Sequence, residues 1–429
     1  MHDPHQILNA AADTVARLKR RGYRLDLPGL AKLVDERKQA VARGDALRTE
    51  LNSTTRQLRA APNGHRETLV ASARALKEEI RLADAARRQY EEELRRLLLT
   101  IPNLPLDEVP DGGPQDPPVE VRRWGLRPDA DFPPRDHVEL ATAAGLLDPE
   151  RAAKLSGSRF AVLRGAAAAL ERALTAFLLD MHTKEFGYTE YSLPHLVTEQ
   201  TMTGTGQLPK FEDDLFRTEV ADRRLYLIPT AEVPLVNLYR GEVLAPADLP
   251  LALTAHTACY RSEAGSYGRD TRGLVRLHQF SKVELVRLCA REEAPQQLEL
   301  MLRHAEECLR RLGLHYRVVQ LRAADLGFSA RRTFDLEVWL PGQDCFREIS
   351  SVSDCGSFQA RRAEITVRRG GRKEYVATLN GSGLPIGRTL VAILEQYQQA
   401  DGSVTIPPAL APYAGFHEIS PAGRTPALR

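Results

Sequence analysis

Two stretches of heptad spacing near the N-terminus limit the fold of this 429-residue chain more than any other feature. In the second stretch apolar residues recur every four and three positions, interrupted at Arg87: Leu69, Ala73, Leu76, Ile80, Ala83, Tyr90, Leu94 and Leu97. The first stretch has a looser seam: Leu33, Ala40, Leu47, Leu51 and Leu58. Heptads favour helix–helix packing, and "APNGHR" between them favours a turn. The pattern predicts an antiparallel helical hairpin, each limb about 45 Å long.

The charge of the hairpin segment differs from that of the whole chain. Residues 30–100 contain 15 Lys or Arg and 11 Asp or Glu, whereas the complete sequence has a net charge of only +2. A solvated coiled-coil surface or a dimer zipper would account for such a segment. An arm that lies along a polyanion is the alternative. The segment alone leaves these interpretations open.

A proline-rich segment ends the hairpin. Six prolines and the pair Gly112-Gly113 fall within residues 102–118, a composition that cannot continue a helix. We therefore expect four parts: a helical arm (1–101), a linker (102–125), a body (126–416) and a flexible C-terminal tail (417–429).

The body has the mixed pattern of an α+β fold. Helical spacing is found at Ala152–Met181, Ala294–Leu312 and Thr389–Gln399. Strand-like runs occur in "RLYLIPTAEVPL", "RGLVRLHQFSKVELVRL" and "TFDLEVWL".

Composition excludes several classes of protein. Five cysteines with no C-x-x-C spacing argue against a disulfide framework or a zinc site and favour a reducing cytoplasm. We find no signal peptide and no apolar run long enough to span a membrane. A Walker loop is excluded because "GTGQLPK" has Pro209 in place of the second turn glycine. His304 and Cys308 are four residues apart on a predicted helix, but without further ligands they predict no metal site.

The run "LVRLHQFSKVEL" predicts a strand with two different faces. One face has Arg276, His278, Phe280, Lys282 and Glu284, and the other has Val275, Leu277, Val283 and Leu285. From Phe280 to Glu284 is roughly 13 Å, about the span from a nucleobase to an acyl group on its ribose phosphate. A hairpin through the Arg- and Gly-rich turn would bring Arg261 and Glu263 beside Phe280. The alternative is a half-exposed hairpin with salt bridges.

Two further segments suit a nucleotide with its metal. The segment Thr378–Gly402 predicts a strand, a turn through Gly381 and Gly383, and a helix from about Gly387. Arg388 then lies in the first helical turn, where the helix N-terminus and the guanidinium both favour phosphate.

In "CFREISSVSD", Glu348, Ser350 and Ser351 offer oxygen ligands for Mg²⁺ that also contacts phosphate. Strict alternation would place Glu348 and Ser351 on opposite faces of a strand. Shared ligation therefore requires a β-bulge or a strand end between them.

Taken with the hairpin, these motifs resemble bacterial seryl-tRNA synthetases, a family of class II aminoacyl-tRNA synthetases. "TACYRSEAGSYGRDTRGLVRLHQFSKVEL" is similar to motif 2, "TLNGSGLPIGRTLVAILEQYQQADG" to motif 3, and "GYTEYSLPHLV" with "GTGQLPKFEDDLF" to the motif 1 region. The resemblance covers nearly the whole chain. It implies an antiparallel two-helix coiled-coil arm that binds tRNA, and a class II catalytic domain with an antiparallel β-sheet flanked by helices. It also implies a homodimer, use of Mg²⁺, and ATP-dependent transfer of L-serine to serine tRNA.

Site residues are implied by the same resemblance. Those for L-serine are Thr230, Ala231, Glu232, Arg261, Glu284, Asn380 and Ser382. Those for ATP are Arg261, Ser262, Glu263, Phe280, Glu348, Ile349, Ser350, Ser351 and Arg388. Arg261, Arg388 and Glu348 have the implied catalytic roles, Glu348 and Ser351 bind Mg²⁺, and Pro194 contacts the second subunit.

Departures from the family pattern occur at Ser281, Ala323, Ala324, Val352 and Asp354. They leave open a specialised second copy, either resistant to an inhibitor or supplying seryl-tRNA or activated serine to a biosynthetic pathway. A non-catalytic tRNA-binding regulator would lose pocket residues, and a ligase that charges a carrier protein would lack the arm. This chain has both the pocket residues and the arm.

Overall fold

The computed structural model describes residues 1–113, 115–128, 131–264 and 273–426. The chain divides into two units, Met1–Pro102 and Asn103–Arg429. The Arg- and Gly-rich turn of the predicted nucleotide platform, residues 265–272, lies outside the described residues. Within them, no helix is both long and apolar enough to cross a membrane.

The first unit is helical. Its helices are α1 (Pro4–Asn9), α2 (Ala11–Arg20), α3 (Leu27–Ala60) and α4 (Arg66–Thr100). The start of α3 is fixed by Asp26, whose side chain accepts a hydrogen bond from the Gly29 backbone N–H at 3.0 Å. Pro28 occupies the first turn, where a missing N–H costs nothing.

Helices α3 and α4 form the predicted antiparallel hairpin. Leu47 of α3 packs with Leu76 and Ala83 of α4, and ion pairs join the two helices on either side of this contact. The pairs with their N–O distances are Arg37–Glu91 at 3.3 Å, Arg43–Glu79 at 3.5 Å and Arg48–Asp84 at 2.6 Å. The heptad prediction is confirmed, and α3 continues unbroken through Gly44.

The second unit is built on one large sheet. Its strands are β1 (Val119–Trp124), β2 (Thr189–Glu190), β3 (Leu196–Thr198), β4 (Arg217–Val220), β5 (Arg223–Leu227), β6 (Val243–Leu244), β7 (Leu251–Tyr260), β8 (Gln279–Cys289), β9 (Tyr316–Gln320), β10 (Arg332–Leu340), β11 (Cys345–Gly356), β12 (Thr366–Arg369), β13 (Arg372–Tyr375), β14 (Ala377–Pro385), β15 (Val404–Thr405) and β16 (Glu418–Ile419). The main sheet has the order β1-β9-β10-β11-β14-β8-β7-β2 and is antiparallel except for the β2–β7 pair. Small sheets form from β13-β12-β6, β3-β5-β4 and β15-β16.

Helices cover both faces of this sheet. They are α5 (His137–Ala143), α6 (Pro149–Ser156), α7 (Ala166–Asp180), α8 (Glu199–Thr205), α9 (Glu232–Asn237), α10 (Ala294–Arg311), α11 (Phe358–Ala363), α12 (Ile386–Gln396) and α13 (Ala411–Ala414). Along β8, Val283 and Leu285 belong to the core that contains α7, α10 and α12, whereas Val286 and Leu288 belong to the core that contains α9 and α11. Burial on both faces fixes the register of β8, because a one-residue slip would exchange the faces.

The predicted linker and tail differ from the structure. The last residues of the linker form β1, which pairs with β9 in the main sheet. Asn103 is 7% exposed and donates side-chain hydrogen bonds to the carbonyls of Ser329 and Cys355 at 2.8 and 2.9 Å. The segment therefore satisfies its polar groups on the body although it forms no helix. In the tail, β16 pairs with β15 and buries Ile419.

Three predicted elements of the body have different boundaries. The helix predicted over Ala152–Met181 is interrupted between α6 and α7, where Gly157 and Gly165 both have positive φ. The strand predicted in "RLYLIPTAEVPL" ends at Leu227, and α9 follows. The strand predicted in "LVRLHQFSKVEL" begins only at Gln279, and the buried Leu274 and Leu277, three residues apart, precede it.

Gly381 and Gly383 do not form the predicted turn. Both lie inside β14, which runs directly into α12. A Cβ on Gly383 would lie 2.5 Å from Nε2 of His182, and one on Gly381 would lie 3.1 Å from the sulfur of Met301. His182 is itself fully buried and packs against Phe186. The glycines are thus required by close packing on the sheet.

We expect the Gly383→Ala variant to lower the free energy of unfolding by about 1–3 kcal/mol, because the His182 ring has no room to move. Urea unfolding followed by circular dichroism measures the change. Gly327→Ala is the control, since a Cβ there meets no atom within 4 Å. Equal effects in the two variants would contradict the packing explanation.

Candidate active site

The hairpin of β7 and β8 forms the floor of the site. Tyr260 pairs with Gln279, and the Arg261 backbone N–H donates to the His278 carbonyl at 2.9 Å. The Arg261 guanidinium lies 5.2 Å from the centre of the Phe280 ring, and its Nε donates to the Pro229 carbonyl at 3.2 Å. The predicted placement of Arg261 beside Phe280 is therefore confirmed.

Arg276 and His278 do not continue the row of site residues along β8. His278 precedes the strand, and its Nδ1 lies 3.0 Å from the Arg261 carbonyl oxygen. Arg276 forms an ion pair with Glu263, whose φ of 53° lies in the left-handed region. Ser262 donates its hydroxyl to the Asp213 carbonyl at 2.6 Å. These contacts hold the backbone that follows β7.

A polar pocket lies farther along the same face. The Thr230 hydroxyl donates to Oε2 of Glu284 at 2.5 Å, and Nζ of Lys282 donates to the Thr230 hydroxyl at 3.1 Å. Lys282 also forms an ion pair with Glu284. The side chains of Lys282 and Glu284 are only 8% and 2% exposed. Ala231, which precedes α9, is completely buried beside them.

Glu232, the first residue of α9, faces the same pocket. Its Oε1 accepts hydrogen bonds from Nε2 of Gln359 at 2.6 Å and from Nδ2 of Asn380 at 2.9 Å. Burial and the neighbouring Glu284 carboxylate raise the pKa of Glu232 to about 7. The hydrogen bond from Gln359 and the charges of Lys282 and Arg261 act in the opposite direction and lower this pKa. Two carboxylates thus meet at one end of the site.

The other end is formed by the start of α12 and by β11. Arg388 lies in the first turn of α12, as predicted, although the helix begins at Ile386. Its Nη1 donates to the Glu348 carbonyl at 2.7 Å and lies 3.4 Å from the Glu348 carboxylate. Its Nε donates to the Val275 carbonyl at 3.1 Å. This guanidinium is therefore fixed at a helix N-terminus.

A bulge in β11 places Glu348 and Ser351 on one face. Leu336 of β10 pairs with Ser350, and Glu337 pairs with Glu348, so Ile349 is the extra residue. The bulge that shared ligation requires is therefore present.

Asp335, which sequence reasoning missed, lies opposite Ser351 on β10. Its Oδ1 is buried without a hydrogen-bond partner. Burial and the nearby Glu348 carboxylate raise the pKa of Asp335 well above its usual range, although the Ser351 hydroxyl acts in the opposite direction.

A cavity of about 160 Å³ joins the two ends. Its lining includes Arg261, Glu263, Arg276, Phe280, Lys282, Glu348, Ile349, Ser382 and Arg388. Ser350 is buried behind it and donates its hydroxyl to the Ser382 carbonyl at 2.8 Å. The structure thus groups the predicted residues in and beside one cavity, and it adds Gln359 and Asp335.

The departures from the family pattern lie around this cavity and do not line it. Val352 is fully buried in the core, and Ala323 packs with Val109. Asp354 is 1% exposed and forms an ion pair with Arg331 at 2.8 Å. Ser281 alternates away from Phe280 on β8. Their direct effect is therefore on packing next to the site.

The arginine on an antiparallel hairpin, the carboxylate-lined pocket at one end of the site and the second arginine at the helix start at the other end form the arrangement that resemblance to class II aminoacyl-tRNA synthetases implied. Residues 215–397 match the class II core domain of tRNA synthetases (G, H, P, S and T). Residues 1–105 match the seryl-tRNA synthetase N-terminal domain.

Comparison with individual proteins identifies the family. The chain is 60% identical to serine–tRNA ligase 2 of Streptomyces avermitilis, over 99% of this chain and 100% of that one. It is 51% identical to serine–tRNA ligase of Oleidesulfovibrio alaskensis over 93% of each chain. The structure of seryl-tRNA synthetase from Pyrococcus horikoshii complexed with ATP aligns with a TM-score of 0.89 and 33% identity, covering 98% of this chain and 100% of that one. The chain belongs to the seryl-tRNA synthetase family.

Proposed function

We propose that this protein activates L-serine with ATP to seryl-adenylate and then transfers the seryl group to the 3′ end of serine tRNA. The observation that supports this most directly is the pocket in which Thr230, Glu232 and Glu284 meet beside Arg261. Such a pocket suits a small zwitterion with a hydroxyl group. Family membership supports the same reaction.

Activation requires two anions to meet. The serine carboxylate attacks the α-phosphorus of ATP, a new C–O–P bond forms, and pyrophosphate leaves. Arg261 would neutralise charge at the α-phosphate, and Arg388 would neutralise it at the terminal phosphates. Phe280 would stack on the adenine. In the second step a terminal ribose hydroxyl of the tRNA attacks the seryl carbonyl and AMP leaves, so positioning accounts for the chemistry without a protein nucleophile.

The same pocket would select serine. A site that hydrogen-bonds a substrate hydroxyl rejects the analogue that lacks it, because buried acceptors then remain unpaired. Thr230, Glu284 and Ser382 would contact the serine hydroxyl and ammonium group together with Glu232. Alanine would leave these groups without partners. Threonine would be excluded by the size of the pocket.

Magnesium is part of this proposal, and the residues present fit it. Glu348 and Ser351 share a face because of the bulge at Ile349, and the unpartnered buried Oδ1 of Asp335 lies next to them. Oxygen ligands of this kind suit Mg²⁺ that also contacts phosphate. When bound, the ion would neutralise charge on the phosphate oxygens. Glu348 and Ser351 would hold it, and Arg388 would orient Glu348.

We also propose that the protein is a cytoplasmic homodimer. A cavity of about 530 Å³ next to Pro194 is lined mostly by apolar side chains, and large apolar residues are exposed around it. They are Leu196, Val220 and Leu238, with 42%, 55% and 39% of their surface exposed. Contiguous apolar surface of this kind is typical of an interface. The five unpaired cysteines support a reducing compartment.

Two assays test the proposed reaction. Serine-dependent exchange of pyrophosphate into ATP measures activation, and attachment of labelled serine to serine tRNA measures transfer. We expect both, with no exchange supported by alanine or threonine. Exchange without charging would indicate a different acceptor, and the absence of exchange would overturn the proposal.

The proposed role of the arm gives a separate prediction. Arg56, Arg59 and Arg74 lie near the tip of the hairpin and are exposed. Changing all three to glutamate is expected to raise the KM for tRNA about tenfold or more near 0.15 M salt, because phosphate contacts dominate such binding. Pyrophosphate exchange should not change, because serine and ATP bind to the body.

A triple variant of the body provides the matched control. Arg368 on β12 and Arg372 and Lys373 on β13 are also exposed. Their change to glutamate alters the net charge by the same amount. If both triple variants weakened tRNA binding equally, the effect would be one of net charge and not of the arm.

A further inference from the structure

Lys282 is a buried cation among the groups proposed to recognise serine. Its Nζ contacts both the Glu284 carboxylate and the Thr230 hydroxyl, and its side chain is 8% exposed. A lysine is rarely buried to this extent without a paired charge. The strand fixes its direction, because Phe280, Lys282 and Glu284 alternate onto the same face of β8.

The pocket has more carboxylates than one substrate ammonium can neutralise. Glu232 and Glu284 approach from α9 and β8, and serine supplies a single positive charge. Two buried carboxylates near each other cannot both ionise easily without cations. Arg261 is committed to the Pro229 carbonyl and the Phe280 ring. Lys282 is the cation that contacts Glu284 directly.

We propose that Lys282 is a positioning residue for serine recognition: it acts as the internal counter-ion of Glu284 and thereby keeps both pocket carboxylates ionised and ready to bind serine. This inference rests on the proposed function of the site. The Glu232 carboxylate would then be available to the ammonium group of serine. The Glu284 carboxylate, already neutralised by Lys282, would accept a hydrogen bond from the serine hydroxyl. Lys282 acts through these carboxylates and not on the reacting phosphorus.

The surroundings of the pair are consistent with this assignment. The charged and titratable groups that face it are Glu232 of α9, Cys259 of β7 and Arg261, which follows β7. Cys355 of β11 lies near Glu232. Neutral donors come from Gln359 of α11 and Asn380 of β14. Lys282 lowers the pKa of Glu232, whereas Glu284 raises it. Removing Lys282 alone is therefore expected to favour protonation of Glu232. Removing the charges of Lys282 and Glu284 together removes two opposite effects on the pKa of Glu232, which largely cancel.

The test compares wild type, Lys282→Met and Lys282→Arg by pyrophosphate exchange between pH 6 and 9. A carboxylate with a raised pKa binds serine only above that pKa, so lost affinity should return as the pH rises. For Lys282→Met we expect the acid limb in the pH profile of kcat/KM for serine to move to higher pH by about one unit or more. At a pH below the limb this corresponds to a roughly tenfold loss of kcat/KM. The KM for ATP should stay within about threefold. Lys282→Arg should keep its limb close to that of wild type.

A double variant keeps the test valid if Lys282→Met folds poorly. In Lys282→Met combined with Glu284→Gln no buried carboxylate loses its counter-ion, because both charges are removed. The acid limb of the double variant then reports the pKa of Glu232 and should return towards the pH at which the wild-type limb lies, although serine binds less tightly. Thermal unfolding of each variant shows which of them are folded at the assay temperature.

The outcomes separate the two proposals. The role proposed for Lys282 would be overturned, without affecting the proposed function, if the acid limb of Lys282→Met lay at the wild-type pH. A larger effect on the KM for ATP than on the KM for serine would have the same consequence. A double variant with a limb as displaced as that of Lys282→Met would also overturn it. A wild-type enzyme without serine-dependent exchange would overturn both the proposed function and this inference.

Discussion

Replacing Arg261 with alanine is expected to reduce kcat for serine-dependent pyrophosphate exchange by about 10³-fold. The guanidinium lies over the Phe280 ring, where the proposed adenine site and the proposed serine pocket meet. Arginines that stabilise a transferring phosphoryl group typically contribute factors of this size. Steady-state exchange rates at saturating serine and ATP measure the loss.

Arg261→Lys is the matched variant for this experiment. It keeps a positive charge but loses the planar fork that also binds the Pro229 carbonyl, so we expect it to recover only part of the rate. Thermal unfolding within a few degrees of wild type would show that neither variant is misfolded. A loss of less than about tenfold in Arg261→Ala would contradict the assignment at the α-phosphate.

Glu284→Ala is expected to reduce kcat/KM for serine by about 10³-fold, while the KM for ATP changes little. The carboxylate accepts a hydrogen bond from the Thr230 hydroxyl and pairs with Lys282. Its removal therefore opens the pocket, leaves the Thr230 hydroxyl without its acceptor and leaves Lys282 without its counter-ion. Exchange kinetics at varied serine, with circular dichroism as a check on folding, measure the effect.

Glu284→Gln is the control for charge. It keeps the length of the side chain and one acceptor oxygen, so its loss should be about 10- to 100-fold and smaller than that of the alanine variant. Retained exchange in Glu284→Ala would show that serine binds elsewhere in the cavity. Equal losses in the two variants would show that charge alone, and not the filled pocket, determines binding.

The sequence predicted those parts of the fold in which local spacing determines structure. The arm followed from heptads because Leu47, Leu76 and Ala83 pack in the register that the spacing requires. The β7–β8 hairpin and the helix at Arg388 followed from alternation and from a strand-to-helix change. The predicted start of β8 was wrong because Leu274 and Leu277 are buried although they precede the strand.

The parts of the site that could not be predicted depend on contacts between distant segments. Resemblance to the family supplied Thr230, Glu232 and Glu284, and alternation placed Lys282 on the same strand face as Glu284. The contact between Lys282 and Thr230 could not be predicted, because it joins segments that are distant in the sequence. Asp335 similarly depends on its partner in the next strand. Gly381 and Gly383 favoured a turn in sequence, and only the packing of His182 explains them as strand residues.

Ile349 determines how β11 can diverge among related proteins. Its side chain is 1% exposed in the core, while Glu348 and Ser351 on either side of it share one face of β11, and Glu348 lines the cavity. Deleting a single residue here would restore strict alternation and turn one of the two proposed oxygen ligands inward. We therefore expect β11 to tolerate a replacement at this position more readily than a change in its length.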